Sequence, residues 1–427
     1  VRVNVQDRFS PRISIYSLKD LKTKEIVEGL LIKDLSFTSS EKTNDKCDFT
    51  VLNTDLRFPD DPVFDCGASL AVAWGYTGHM SPVREMVVTK YTPGWPDFKV
   101  ECVGKGALMH KFQDAKTWDN VKRSDVATEI AEKWGYGEGF RDIEDTEEIY
   151  PTITKTMQTD AAFLKKMADR ESKKGSKFVF YVDYTGLHFH RERLGIAPTK
   201  VYQFIPDSTD EGDLKAFPTF DAVSVQANPG KVTATGVDLT KNKKVEGTAS
   251  NEDTPGRPSL GSHVITFARQ GTHTIAEKQA AAETTATTGA RSDEEAKKQA
   301  TAAFSKSSGK ASKCSVHLIG DPRLIARHII EIQRIGKRLS GKYCITEAKH
   351  DIKGGDYTLA LKLRRDANNA GADKSTSTAK VNDSTAQGGN ASGKDPTPYT
   401  TKIAYSTNGT HKVQFVPGDQ PKGDGSK

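Results

Sequence analysis

Residues 341–366, GKYCITEAKHDIKGGDYTLALKLRRD, decide how this chain folds. Tyr343 and Ile345 alternate with Cys344 and Thr346. After the turn-forming DIKGGD, Tyr357, Leu359, Leu361 and Leu363 fall on one face, while Thr358, Ala360, Lys362 and Arg364 fall on the other. A two-residue period interrupted by Gly354-Gly355 predicts a β-hairpin with one buried side, and puts Leu359 and Leu361 in the core. Just upstream, LIARHIIEIQRI (residues 324–335) is ambiguous between helix and strand; its β-branched content and the Gly336 that ends it favour strand.

Working outward from the hairpin, composition sets the limits. The 427 residues are enough for two or three domains, each with its own core. The apolar fraction of 35% is low because polar segments dilute it. No apolar run approaches the roughly 20 residues needed to cross a bilayer, and VRVNVQDRFSPRISIY at the start has no hydrophobic signal core, so a soluble protein made in the cytoplasm is expected. The five cysteines (Cys47, Cys66, Cys102, Cys314, Cys344) are scattered without CxxC spacing, which argues against a disulfide framework or a zinc site and for small core hydrophobes. The net charge of +6 arises from 62 basic and 56 acidic residues interleaved along the chain. A sequence-specific DNA binder concentrates its basic residues, so that class is disfavoured.

The first hundred residues read as short strands: RISIYSL, IVEGLLIKDLSF, CDFTVLN, SLAVAWGY, EMVVTKYT and FKVECVG, separated by turns such as FPDDP and TPGWPD. This spacing predicts a closed or sandwiched antiparallel sheet. A mixed segment follows. Ser124 is placed as the cap of a helix carrying Val126, Ile130 and Trp134, with Gly135 as its left-handed end. Thr159-Asp160 starts a second helix with Phe163, Leu164, Met167 and Ala168 on one face and Gly175 at its end, and KFVFYVD and LHFHRER form a hairpin across Tyr184-Thr185-Gly186. Strands resume at KVYQFIPD, AVSVQAN, KVTATGVDL and HVITFAR, interrupted by a polar loop over residues 241–262. Residues 275–310 turn Ala-, Thr-, Lys- and Glu-rich; Ser292 and Glu295 form a capping box before AKKQATAAF, predicting a helix that lies on the surface. Residues 366–398 read as a flexible linker. Beyond it, YTTKIAY and KVQFV flank Asn408-Gly409, the strongest short hairpin signal. The predicted fold is α+β and mainly β: a first β-barrel domain over 1–115, a mixed α/β domain over 116–200, a second β-barrel domain over 201–366 with the insertion at 275–310, a linker over 367–398, and a C-terminal hairpin and tail over 399–427.

Three stretches resemble chemical sites and are set aside. GGNASGKD (388–395) nearly matches a phosphate-binding loop, but Asp395 replaces the hydroxyl residue, no strand precedes it, and Pro396 and Pro398 block the helix that would receive the phosphate. His188 and His190 share one side of a strand at metal-ligand spacing; no third ligand can be placed, so a half-exposed strand face without metal is expected. Asp60, Asp61 and Asp65 lie among prolines without the central glycine of a calcium loop and fit a turn. No Gly-x-Ser-x-Gly elbow exists and the cysteines lack a His partner. No catalytic residue, cofactor or metal is assigned.

In order along the chain, the helix ending Trp134-Gly135, the run QTDAAFLKKMA, the hairpin after it, the Gly320-Asp321-Pro322 turn, Gly341-x-Tyr343, His350 and Tyr357-x-Leu359-x-Leu361 resemble the bacteriophage late control gene D family, the hub proteins of contractile tails and related injection machines. The likeness runs over roughly residues 10 to 366 and implies a structural protein, not an enzyme. It implies two similar barrels per subunit, and a homotrimer that adapts a sixfold tail tube or tube-initiator protein above to a threefold central spike protein below, with DNA only as cargo through the channel. Other baseplate proteins are implied as partners, the virion as location, and no stable membrane insertion. Gly341, Tyr343, His350, Tyr357, Leu359 and Leu361 carry the family signature as structural positions. Unlike the valine-glycine repeat proteins of secretion systems, the chain carries no spike barrel, so the spike is expected to be a separate polypeptide. Two alternatives stay open: the hub of a type VI or extracellular contractile injection system, and a tail-associated peptidoglycan-degrading enzyme. Tyr399, Ile403 and Tyr405 on one strand and Val413 and Phe415 on the other give the C-terminal hairpin an apolar side that suits docking on a neighbour; folding back on its own domain is the competing expectation.

Overall fold

A computed structural model describes residues 10–20, 23–26, 30–172, 177–193, 196–210, 212–221, 231–238, 241–250, 269–270, 273–274, 283–287, 290–308, 312–336, 339–365, 400–405 and 411–416. The β-branched and aromatic runs of the first hundred residues form eight strands: β1 (Pro11–Asp20), β2 (Thr23–Ile26), β3 (Ile32–Ser40), β4 (Lys46–Leu52), β5 (Ser69–Tyr76), β6 (His79–Met80), β7 (Arg84–Thr92) and β8 (Asp97–Gly104). The aspartate-rich loop before β5 is a turn, as expected: Asp61 accepts a hydrogen bond from Val63 N at 3.0 Å between two single-turn 3-10 helices.

The middle of the chain supplies β9 (Gln113–Lys122), α1 (Arg123–Lys133), β10 (Arg141–Ile143), β11 (Ile149–Thr159), α2 (Asp160–Ser172), β12 (Phe178–Asp183) and β13 (Gly186–Arg191). β9 and β11 make an antiparallel ribbon, and β10 lies parallel to β13 at the edge of the β12–β13 hairpin. Their core holds Val126, Ile130, Leu164, Met167 and Phe189, with Trp118 stacked on Phe163 at 5.7 Å. The predicted cap shifts by two residues, to Lys122: α1 begins at Arg123, so Ser124 lies inside it. Asp125 instead accepts from Lys122 N at 3.2 Å, while Ser124 donates to Asp145. Gly135, at φ +79°, ends α1 as predicted.

The rest comprises β14 (Lys200–Gln203), β15 (Thr219–Phe220), β16 (Lys231–Asp238), β17 (Lys243–Ser250), β18 (Arg269–Gln270), β19 (His273–Thr274), β20 (Glu283–Thr287), α3 (Asp293–Ser308), β21 (Ser312–Ile319), β22 (Ile329–Gln333), β23 (Gly341–Lys353), β24 (Asp356–Arg365), β25 (Thr400–Tyr405) and β26 (His411–Val416). Three expectations change here. Residues 243–250 of the presumed polar loop form β17, because Val245, Gly247 and Ala249 alternate inward beneath charged neighbours. Residues 283–287 of the presumed helical insertion form β20, parallel to β16. α3 buries one face, with Ala296, Ala300 and Phe304 lying against Val232, Ala234, Val245 and Ala249. Small residues make that contact close: a Cβ on Gly247 would stand 2.1 Å from Lys297 N. Ser292 caps α3 through Glu295 N at 3.2 Å, although Glu295 reaches back to Arg291 N, one residue earlier than a capping box requires. AVSVQAN, most of HVITFAR, Gly175 and the segment 366–398, including the near-match to a phosphate loop, lie outside the described residues.

The protein is α+β and mainly β, with two antiparallel β-barrel domains and a helix-containing domain between them in sequence. The sheets of the two β domains are continuous. β3 pairs antiparallel with β23, Phe37 opposite His350, so one sheet runs β15-β21-β24-β23-β3-β4-β8-β7-β5-β1-β2. One end of it covers a core of Leu35, Phe37, Phe49, Leu70, Trp74, Phe98 and Val100; the other covers Tyr202, Leu324, Ile330, Ile332, Tyr343, Ile345 and Leu361. The β23–β24 hairpin serves both, its base in the second core and its tip residues Ile352 and Tyr357 in the first. LIARHIIEIQRI is strand over Ile329–Gln333 only, preceded by turns. Among the described residues no helix is long and apolar enough to cross a membrane.

Candidate functional site

The signature residues are spread along the β23–β24 hairpin, where β23 joins the two β domains. A bulge between Ile345 and Glu347 inserts one residue into β23, so that Tyr343 and Ile345 before it share a face with Ala348, His350 and Ile352 after it. Simple alternation would send His350 to the opposite side. Instead it is fully buried: Trp74 Nε1–H donates to the Tyr357 hydroxyl at 3.0 Å, that hydroxyl donates to His350 Nδ1 at 2.7 Å, and His350 Nε2–H donates to the Leu324 carbonyl at 2.8 Å. The run of donations assigns the tautomer. Burial, with Arg84 adding to it, lowers His350 to about 3, so the ring is neutral and both nitrogens are engaged. Burial likewise pushes the Tyr357 hydroxyl far up, which keeps it a donor.

Gly320 makes room for this network, and Gly341 for a second set of contacts at the base of the hairpin. Gly320 N donates to the Tyr357 carbonyl at 2.9 Å, and a Cβ on Gly320 would stand 2.2 Å from the Tyr357 ring. Gly341 has φ +141° and lies against Arg365, whose guanidinium donates to the Leu339 and Ser340 carbonyls at 2.7 and 2.9 Å. The Tyr343 hydroxyl also donates to Leu339 O. Leu359 and Leu361 are no more than 1% exposed. The signature thus holds strands and turns together. Tyr357→Phe should leave the Trp74 N–H and His350 Nδ1 buried without partners and lower stability by about 2–4 kcal/mol, read from the urea midpoint.

Two buried arginines tie the surrounding parts to this seam. Arg364 Nη2 donates to Glu41 at 3.0 Å and to Glu192 at 2.6 Å, joining the end of β24 to the loop after β3 and the segment after β13. Arg84, 2% exposed, lies over the rings of Phe37, Trp74 and Tyr184 at 4.5–5.3 Å, with Asp45 at 3.7 Å. Burial raises the Asp45 carboxyl despite that neighbour.

A second cluster lies on the middle domain. His188 and His190 do share a side of β13, as the spacing predicts, but they are not half-exposed: His190 is 4% exposed and the His188 side chain 12%. The parallel β10–β13 pairing places Asp142 opposite His188, and its Oδ2 lies 3.7 Å from His188 Nδ1 and 3.8 Å from His190 Nε2. A third candidate ligand therefore exists, which corrects the sequence reading. Sequence reasoning missed it because Asp142 sits in a three-residue strand with no pattern of its own. Arg193 forks onto the same carboxylate at 2.7 and 3.0 Å. Burial works to raise Asp142, but Arg193 and the two histidines outweigh it and hold the carboxyl below its usual range. Burial works to raise Asp183 as well, but the hydrogen bonds from His188 and Thr185 outweigh it and hold that carboxyl at about 2.

At the C-terminus β25 and β26 pair antiparallel with Ile403 opposite Val413 and Tyr405 opposite His411. Tyr399 and the Asn408-Gly409 turn lie outside the described residues.

A family model described as the Alg8 N-terminal domain matches residues 46–354. No curated protein matches the sequence. Among solved structures, the 43 kDa tail protein of prophage MuSo2 from Shewanella oneidensis is similar at a TM-score of 0.57 and 14% identity, over 83% of this chain and 98% of that one. The tail protein from Neisseria meningitidis MC58 gives a TM-score of 0.57 and 9% identity, over 84% and 97%. A prophage tail protein of Listeria monocytogenes EGD-e gives 0.51 and 14%, over 84% and 95%. The fold is that of these phage tail proteins.

Proposed function

The chain belongs to the Alg8 N-terminal domain family; from its fold we propose that it is a structural baseplate hub of a phage tail or tail-like injection particle. The observation that carries the reading is a fold shared over 83–84% of this chain, and nearly the whole of theirs, with tail proteins. The seam supports it: residues that could be mistaken for chemistry, His350 and Tyr357, are locked into hydrogen bonds that join two β domains into one continuous sheet. Such a body transmits load between its ends and performs no bond chemistry.

In this reading three copies form a ring in which each contributes two β domains, giving six similar surfaces to a tail tube or tube initiator and three to a central spike. Other baseplate proteins surround it, and DNA passes only as cargo. Light scattering at micromolar concentration, with and without the spike protein, should give a trimer in at least the spike-bound sample. A chain that stays monomeric within the assembled particle would sink the proposal. The C-terminal hairpin is the proposed docking piece, through Tyr399, Ile403, Tyr405, Val413 and Phe415. Deleting residues 367–427 should leave the trimer intact and abolish spike or baseplate capture in a pull-down; unchanged capture would assign those contacts elsewhere.

A further inference from the structure

Asp142, His188 and His190 have the tautomers and the convergence that a metal site needs. The ligand atoms of the three all lie within 4.8 Å of one another. Each histidine has its other nitrogen committed to an oxygen. His188 Nε2 lies 3.1 Å from Asp183 Oδ1 and 2.7 Å from the Thr185 hydroxyl, which itself donates to Asp183; His190 Nδ1–H donates to the Arg191 carbonyl at 2.6 Å. Carboxylate and carbonyl partners of this kind orient metal-binding imidazoles and raise their basicity. They leave the lone pairs of His188 Nδ1 and His190 Nε2 facing Asp142. His188 Nδ1 is buried and has no hydrogen-bond partner in its own right. Tyr181 stacks on His188 at 4.4 Å and closes one wall; its hydroxyl donates to the His190 Nε2 lone pair at 3.4 Å, a long bond that an entering ion displaces.

We propose that these three side chains bind one divalent transition-metal ion, of the zinc or iron(II) class, clamping the β10 segment to the β12–β13 hairpin. Two imidazoles and one carboxylate suit those ions. Bonds of roughly 2.0–2.2 Å set tetrahedral donors about 3.4 Å apart, so the Asp142 oxygen, at 3.7 and 3.8 Å from the two ring nitrogens, has only a few tenths of an ångström to close by side-chain rotation. The cation now on Asp142 is Arg193, whose side chain is half exposed and free to swing into solvent when the ion enters. The expectation of no metal at the His188–His190 pair is thereby revised.

The test uses the full chain, purified without an affinity tag, stripped with a chelator and titrated calorimetrically with zinc chloride. One equivalent should bind and raise the melting temperature by a few degrees. His190→Ala and Asp142→Asn should abolish binding, while His79→Ala, at an exposed histidine, should bind like the parent. Arg193→Ala removes only the competing cation from an exposed position and should bind zinc several-fold more tightly. Binding well below one equivalent in the parent overturns the proposal, as does binding that His190→Ala leaves unchanged. Should His190→Ala fail to fold, an Arg193→Ala affinity equal to or weaker than the parent's overturns it alone.

Discussion

Leu361→Asp should unfold the second β domain, whereas Lys362→Asp, one residue along the same strand, should leave the melting temperature nearly unchanged. Leu361 is 1% exposed, opposite Val316 on one side and Ala348 on the other, among Leu359, Leu363 and Ile345. A carboxylate there has no partner, and it either remains charged in an apolar core or takes up a proton. Either route, added to the lost packing, costs several kcal/mol, on the order of half the stability of a typical domain. Lys362 points outward and forms an exposed pair with Glu347 at 2.8 Å. Reversing that charge sets two carboxylates across the ladder, for about 1 kcal/mol or less. Urea denaturation followed by tryptophan fluorescence and circular dichroism separates the two; equal midpoints would mean that the register of β24 is wrong.

Arg364→Met should be nearly as damaging, for a different reason. The guanidinium is 11% exposed and joins Glu41 and Glu192, themselves 20% and 12% exposed. Methionine fills much of the volume but leaves two largely buried carboxylates facing each other, with Lys177 on Glu192 as the remaining cation. Breaking a buried pair from one side costs about 3–5 kcal/mol. The triple variant Arg364→Met, Glu41→Gln, Glu192→Gln should recover much of the loss, because it removes the repulsion between the two carboxylates, while giving up the Glu192 pair with Lys177. If it is no more stable than Arg364→Met alone, repulsion between the carboxylates is not the cause.

Acid should act through His350. Its folded-state value of about 3 lies below the ordinary 6.5, so between those limits the unfolded chain binds the extra proton. The stability tied to the neutral ring is complete above pH 6.5 and falls as the pH drops toward 3. A urea midpoint that did not decline across that window, after correction for the carboxylates, would contradict the buried neutral ring.

The hairpin that organises the fold is legible because Leu359, Leu361 and Leu363 alternate without interruption with small or polar residues. Its strand β23 is less so: the extra residue at Thr346 shifts the inward positions by one, and nothing in the composition marks the shift. β17 escaped notice because its inward residues are Val245, Gly247 and Ala249, small enough to read as loop yet chosen to let α3 approach. The pairing of β3 with β23, and of Asp142 with His188, cannot be read from local pattern at all. Hydrophobic period reports which face of a strand is buried, and not which strand lies beside it.

The pairing of β3 with β23 also imposes an order on synthesis. β3 ends at Ser40, but the main-chain partners of Glu41 and of Phe37 are Thr346 and His350, some three hundred residues later. At about 5–20 residues per second, the ribosome takes roughly 15–60 s to deliver them. Throughout that interval the N-terminal sheet, complete in every other strand, presents the bare hydrogen-bonding edge of β3, and an uncovered edge invites another chain to add itself. Fragments that stop before residue 341 keep that edge permanently, so their aggregation should track the nascent chain's need for a chaperone and should disappear when a separate 341–365 peptide is supplied to close it.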